Sequence, residues 1–157
     1  GTLTSLWDAN MDMLSPDSGL DLSDESWPIY ARSVDAPPIY MGGDSHVSHS
    51  AINRGCDIEG TVENSVLSPR VTIEKGARVS YSVILPGVTV EAGSVIEYAI
   101  IGEGCHIGRE CRVGGMPDSA PGGKWDLTVL APDCALEDGR EIAPGVMLDR
   151  YGKEVLK

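Results

Sequence analysis

The stretch VTIEKGARVSYSVILPGVTVEAGSVIEYAIIGEGCHIGREC, residues 71–111, repeats one phrase every 17 residues. VTI at 71–73 returns as VTV at 88–90 and as CHI at 105–107. Large aliphatic residues open successive steps whose lengths are 6, 6 and 5 residues, with one shortened step before Val62. The openers are Val47, Ile52, Ile58, Val62, Leu67, Ile73, Val79, Ile84, Val90, Ile96, Ile101, Ile107 and Val113, and later Leu130, Leu136, Ile142 and Leu148.

A hexapeptide period predicts an all-β fold, a single-stranded parallel β-helix. Each step makes a short strand and a corner, so three steps make one turn of a triangular prism. Successive turns stack about 4.8 Å apart through hydrogen bonds between strands. Because one turn cannot bury its own inner face, the stacked turns must share one continuous core.

Two further positions of the step support this fold. The third residue after the opener is often glycine, as at Gly76 and Gly93, which suits corners with positive φ. The fourth residue is small, and all four cysteines occupy it: Cys56, Cys105, Cys111 and Cys134. We interpret these cysteines as core residues, because a free cysteine behaves as a small hydrophobe.

The five-residue steps align His49, Asn64, Tyr81 and Tyr98 in a ladder, which is either a surface column or a contact for a ligand or subunit.

Composition excludes several partners. The net charge is −12, which makes nucleic acid and anionic membranes poor partners. No apolar run approaches the ~18 residues of a membrane span and no signal peptide is evident, so we expect a cytoplasmic protein. The cysteines form no CxxC pair, which argues against a metal knuckle or a redox motif.

The chain divides into three parts. Residues 1–15 have the spacing of an amphipathic helix, which we expect to dock on a partner that these residues do not include, and to fray or pair with another chain without it. Residues 16–46 are predicted to be an extended connector. Residues 47–157 are predicted to form the β-helix, with an excursion at 114–126.

Three histidines, His46, His49 and His106, invite a zinc hypothesis. The predicted coils separate them by roughly 14 Å along the axis, and zinc needs its nitrogens within about 2.1 Å. A hexapeptide acyltransferase, which would use acetyl-CoA and a histidine base, is an alternative, although His106 is predicted to face outward. The pairs Gly42-Gly43 and Gly122-Gly123 lie in no phosphate-binding motif. We therefore predict no catalytic, cofactor-binding or metal site.

The sequence also resembles a known family. GTLTSLWDANMDML, WPIY…APPIY and GCDIEGTVENSVLSPRVTIEKGARVSYSVILPGVTV…AIIGEGCHIG, in this order, resemble the C-terminal part of bacterial ADP-glucose pyrophosphorylase, or glucose-1-phosphate adenylyltransferase. The resemblance covers essentially the whole chain. It implies a left-handed β-helix, and an enzyme that converts ATP and glucose 1-phosphate to ADP-glucose and pyrophosphate with Mg²⁺, for glycogen synthesis. It also implies a homotetramer regulated by anionic metabolites.

The family's nucleotide loop, catalytic lysine and metal-binding aspartate have no counterpart in these residues, so no catalytic residue is carried over. The resemblance implies that residues 1–15 pack on the catalytic domain of the whole protein. We expect the fragment to serve oligomerisation and allosteric regulation beside that domain, and to be inactive alone. A non-catalytic regulatory paralogue remains an alternative. Glu103 stands where some members carry lysine, so anion binding on that coil is in doubt. The arginines that could replace it, each of which is otherwise a solvated surface charge, are Arg109, Arg112, Arg140 and Arg150.

Overall fold

The computed structural model describes residues 2–14, 38–116 and 126–155. The helix α1 spans Thr2–Met13, and 18 short strands follow it within the described ranges. The strands are β1 (Tyr40–Met41), β2 (His46–Ser48), β3 (Ala51–Ile52), β4 (Asp57–Ile58), β5 (Thr61–Glu63), β6 (Val66–Leu67), β7 (Thr72–Ile73), β8 (Arg78–Ser80), β9 (Val83–Ile84), β10 (Thr89–Val90), β11 (Val95–Glu97), β12 (Ala99–Ile101), β13 (His106–Ile107), β14 (Arg112–Gly114), β15 (Thr128–Leu130), β16 (Ala135–Leu136), β17 (Glu141–Ile142) and β18 (Met147–Leu148).

Every third strand belongs to the same parallel sheet. Sheet A contains β1, β4, β7, β10, β13 and β16; sheet B contains β2, β5, β8, β11, β14 and β17; sheet C contains β3, β6, β9, β12, β15 and β18. Three consecutive strands form one coil, so coil 1 is β1–β3 and coil 6 is β16–β18. The register is strict, with Thr72 beside Thr89 and Thr89 beside His106. The structure confirms the predicted left-handed parallel β-helix.

The aliphatic openers fill the axis of the prism. Leu67, Ile84 and Ile101 lie on the same wall, sheet C, and none of them is exposed to solvent. All four cysteines are free and buried among them, as predicted. The packing that holds the fold together is therefore one narrow apolar column shared by the coils.

Corners between the sheets are built by residues with positive φ. Glycine fills most of them, and Arg70, Glu110 and Asp133 take the same conformation at the equivalent position. The ladder His49, Asn64, Tyr81 and Tyr98 is the corner between sheets B and C, with φ between 45° and 51°. Buried serines satisfy the backbone at this corner: the hydroxyl oxygen of Ser65 accepts the Ser82 N–H at 3.1 Å, and that of Ser82 accepts the Ala99 N–H at 3.2 Å.

The first coil reaches into the predicted connector, since β1 begins at Tyr40 rather than at residue 47. The Tyr40 N–H donates to the carbonyl oxygen of Cys56 at 2.9 Å, and the Gly42 N–H donates to that of Ile58 at 2.8 Å. Tyr40 and Met41 are both exposed, so this strand has no buried opener by which the sequence pattern could be recognised. Residues 15–37 and 117–125, in the connector and the excursion, lie outside the described residues.

The opposite end of the prism is closed by the chain itself. After β18 the backbone turns back and forms an antiparallel bridge between Leu148 and Glu154. The Asp149 carboxylate accepts the backbone N–H groups of Tyr151 at 2.8 Å and Lys153 at 3.0 Å. We call residues 149–155 the terminal hairpin. It covers the last edge of sheet C, where unpaired backbone groups would otherwise template association.

Candidate functional site on the outer face of sheet C

The three outer walls of the prism differ in polarity. On sheet C the outward residue of every strand is apolar, and we call this row the sheet C stripe: Ala51, Val66, Val83, Ile100, Val129 and Met147. The matching rows are mostly polar on sheet B (His46, Thr61, Arg78, Val95, Arg112 and Glu141) and on sheet A (Tyr40, Asp57, Thr72, Thr89, His106 and Ala135). Sheet C is therefore the wall suited to bind another element by apolar contact.

The helix α1 lies on this stripe. Its half-buried apolar residues pack on a second cluster outside the prism core, whose centre is Val83, Ile100 and Leu127. Val83 and Ile100 are each only 2% exposed although their side chains point away from the axis. The partly buried members of the cluster are Leu6, Trp7, Met11, Leu85, Tyr98 and Val129.

Trp7 fixes the position of the helix on the corner column. The rings of Tyr81 and Tyr98 are stacked, with centroids 4.8 Å apart and planes 5° apart. Trp7 packs on Tyr98 at a centroid distance of 6.0 Å, and its indole N–H donates to the carbonyl oxygen of Tyr81 at 2.8 Å. The tyrosines in the ladder thus form an intramolecular contact with the helix, one that the sequence analysis did not foresee.

The pattern of α1 explains which face it buries. Asn10 is only 2% exposed, and its side-chain amide donates a hydrogen bond to the carbonyl oxygen of Leu6 at 2.8 Å. The amide nitrogen of this buried side chain therefore has a hydrogen-bond partner. Asp8 and Asp12 lie exposed on the other face. We expected α1 to fray or to pair with another chain; instead its apolar face is covered by sheet C of its own chain. Packing on a catalytic domain stays a prediction, and the exposed, acidic face of α1 would then be the one available.

The histidines do not come together. His46 and His49 belong to coil 1, whereas His106 belongs to coil 5, roughly 19 Å further along the axis at about 4.8 Å per coil. His106 is exposed, and its Nε2 lies 2.7 Å from a carboxylate oxygen of Glu91. Arg109 approaches the other oxygen of Glu91 at 4.0 Å. Within the described ranges, no group of three or more side chains could hold a metal ion.

The four arginines considered for anion binding have separate surroundings. Arg109 faces Glu91, as above. Arg112 lines an open groove of about 580 Å³ on sheet B together with two carboxylates, Glu97 and Glu141. These negative charges oppose binding of an anion in the groove.

The remaining two arginines lie at the terminal hairpin. Arg140 donates to the carbonyl oxygen of Gly152 at 3.5 Å, and the guanidinium of Arg150 lies 5.6 Å from the ring centre of Tyr151. Glu103 is exposed at the corner between sheets C and A. The pair Gly122-Gly123 lies outside the described residues.

The cysteines show no sign of an activated nucleophile. Burial raises the pKa of the Cys56 and Cys134 thiols, and it raises the pKa of Cys105 to about 11. A thiol must ionise to act as a nucleophile, so these three groups are poorly reactive near neutral pH. The predicted packing role of the cysteines agrees with this environment.

The fold and its walls define a hexapeptide-repeat β-helix protein. The sequence profile of the family described as GlmU-like, C-terminal hexapeptide, matches residues 40–128, and the chain belongs to this family. No described helix has the length and apolar character that a membrane crossing requires.

Two curated relatives share the repeat region. Glucose-1-phosphate adenylyltransferase from Geobacillus stearothermophilus is 52% identical over 79 residues, which is 50% of this chain and 20% of the relative. The enzyme of the same name from Bacillus mycoides (strain KBAB4) is 47% identical over 79 residues, 50% of this chain and 21% of the relative. The matched part of the chain thus spans about one fifth of these relatives.

Solved structures also resemble the chain. Two mutants of perosamine N-acetyltransferase from Caulobacter crescentus, each in complex with CoA and GDP-perosamine, give TM-scores of 0.43 and 0.45. Their identities are 12% and 13%, and the superpositions cover 77% of this chain and 55% of each acetyltransferase. Likeness at this level carries no argument about this chain.

Proposed function

We propose that the chain is the C-terminal β-helical domain of a glucose-1-phosphate adenylyltransferase of glycogen synthesis. The observation that carries the proposal is the identity of 52% over 79 residues with an enzyme of that name. The whole protein would convert ATP and glucose 1-phosphate to ADP-glucose and pyrophosphate in the cytoplasm. ATP and Mg²⁺ would bind to its catalytic domain, so no residue of this chain is assigned to the chemistry.

The work of this domain is mechanical. A stack of in-register coils with one continuous core is a stiff support, and α1 is attached to it by an apolar contact and by the Trp7–Tyr81 hydrogen bond. In the proposal α1 joins the catalytic domain to the β-helix, so the sheet C stripe sets the position of one domain relative to the other. Homo-oligomerisation and regulation by an anionic metabolite are part of the same proposal, and they are supported by the family resemblance alone.

The test compares two proteins in one assay. The pure 157-residue chain is mixed with ATP, glucose 1-phosphate and Mg²⁺, and pyrophosphate release is measured beside the full-length protein from which the chain derives. We expect ADP-glucose only from the full-length protein. An inactive full-length protein that nevertheless assembles would favour the regulatory paralogue, and acetyl-CoA binding by the isolated chain would favour an acyltransferase.

A further inference from the structure

Cys105 and Cys134 lie one above the other in the same inward column. This column runs along the corner between sheets C and A, and its other members are Cys56, Val71 and Val88. The His106 N–H donates to the Cys134 carbonyl oxygen at 3.0 Å, which places the two cysteines on adjacent coils. Both the Cys105 thiol, at 3.1 Å, and the Cys134 N–H, at 3.3 Å, donate to the Ala131 carbonyl oxygen.

The spacing of adjacent coils matches the span of a thiolate–metal–thiolate unit. Stacked strands repeat at about 4.8 Å, and a metal–thiolate bond is about 2.3 Å long, so two such bonds in line span about 4.6 Å. Thiolates select soft cations such as Cu⁺. We propose that Cys105 and Cys134 form a two-thiolate site for a soft monovalent cation, Cu⁺ or Ag⁺, inside the prism.

The bound unit would carry a net negative charge, which the Arg140 guanidinium offsets only in part. Two thiols release two protons and one monovalent cation enters, which leaves one net negative charge between the sulfurs. Burial raises the pKa of the Cys134 thiol; the guanidinium of Arg140 acts in the opposite direction, and Asp149 adds to the increase. Because protons are released, binding must strengthen as the pH rises.

The terminal hairpin provides the route of entry. Cys134 precedes β16, the last described strand of sheet A, so among the described residues the terminal hairpin lies beyond this coil. Beyond this coil the hairpin approaches through Gly152, whose carbonyl oxygen accepts from Arg140 at 3.5 Å. The bridge between Leu148 and Glu154 joins the hairpin to β18, and the Val155 N–H donates to the Met147 carbonyl oxygen at 2.8 Å. Such an element opens locally at a low free-energy cost, which admits an ion without unfolding the core.

The probe is Ag⁺, which is stable to oxidation, added to the reduced protein and followed by native mass spectrometry after desalting with excess methionine. We expect the wild type to retain one Ag⁺ per chain with loss of the displaced protons. Cys105→Val and Cys134→Val should retain none. Valine is a fitting replacement because Val71 and Val88 hold the same position in neighbouring coils.

Two cysteines supply matched controls. Cys56 is followed in its column by Val71, and Cys111 is followed in another column by Arg140, so neither has a thiol on the next coil. Cys56→Val and Cys111→Ser should therefore retain the ion. X-ray absorption of the wild type with Ag⁺, which requires no variant, should show two sulfur neighbours. Retention of no ion by the wild type, equal retention by all variants, or a single sulfur neighbour would overturn the proposal.

Discussion

Replacing Trp7 with alanine should release α1 from the β-helix. The change removes the ring contact with Tyr98, worth about 1 kcal/mol, and the hydrogen bond to the Tyr81 carbonyl oxygen, worth about 1 kcal/mol. Losing the buried half of the indole ring costs about 1 kcal/mol more. The docking equilibrium should weaken by about 3 kcal/mol, or about 10²-fold. Because a free helix of 12 residues is marginal in water, an undocked α1 also unfolds.

Amide hydrogen exchange measures this directly. In Trp7→Ala the protection of the α1 amides should fall by about 10²-fold, while the amide of Ile84 in the core keeps its protection. Trp7→Phe is the matched control, because it retains a ring beside Tyr98 and loses only the hydrogen bond. It should lower protection by about fivefold. Unchanged protection of α1 in Trp7→Ala would refute the view that sheet C holds the helix.

Three further outcomes follow from the coils. Ile84→Ala should lower the free energy of unfolding by about 2–5 kcal/mol in urea titrations, because Ile84 is fully buried; a loss below about 1 kcal/mol would contradict the packed core. Gly139→Ala, in open space but at φ 78°, should cost about 1–2 kcal/mol, whereas Gly43→Ala, also in open space, should cost under about 0.5 kcal/mol; equal costs would show that corner strain is unimportant. Folding raises the pKa of Cys105 to about 11. The buried, protonated thiol therefore contributes fully to the free energy of unfolding below about pH 9, and this contribution is lost as the pH rises toward 11. Cys105→Val should remove this pH-dependent loss of stability, which is at most about 3 kcal/mol. The prediction is contradicted if the urea midpoint changes between about pH 8 and about pH 10.5 by the same amount in Cys105→Val as in the wild type.

The repeating part of the fold could be predicted because each local sequence pattern is compatible with only one arrangement of strands and corners. An aliphatic opener every five or six residues can be buried only by three walls per turn, and glycine three residues later fits the positive φ of a corner. The same reasoning placed Cys105 and Cys134 inside. It did not place β1, because Tyr40 and Met41 are exposed and pair with β4 at the edge of sheet A.

The candidate site was harder to predict because it depends on a contact between distant segments. The amphipathic pattern of α1 showed that one face needed a partner, and it could not show which one. A signal was present: the outward residues of sheet C, such as Val83 and Ile100, are apolar where those of sheets A and B are mostly polar. The polarity of the residue before each opener, compared between the three walls, indicates sheet C as the docking face.

The role of sheet C in positioning α1 is tested by ADP-glucose formation in the full-length protein carrying Ile100→Asp. Ile100 points outward beneath α1, so a carboxylate there should displace the helix while the coils stay folded. Thr89→Asp is the control, since Thr89 occupies the matching outward position on sheet A in the same coil. If sheet C positions α1, Ile100→Asp loses most of the activity and Thr89→Asp keeps it, while the core amide of Ile84 stays protected from hydrogen exchange in both. Equal activity in the two variants would contradict the role assigned to sheet C.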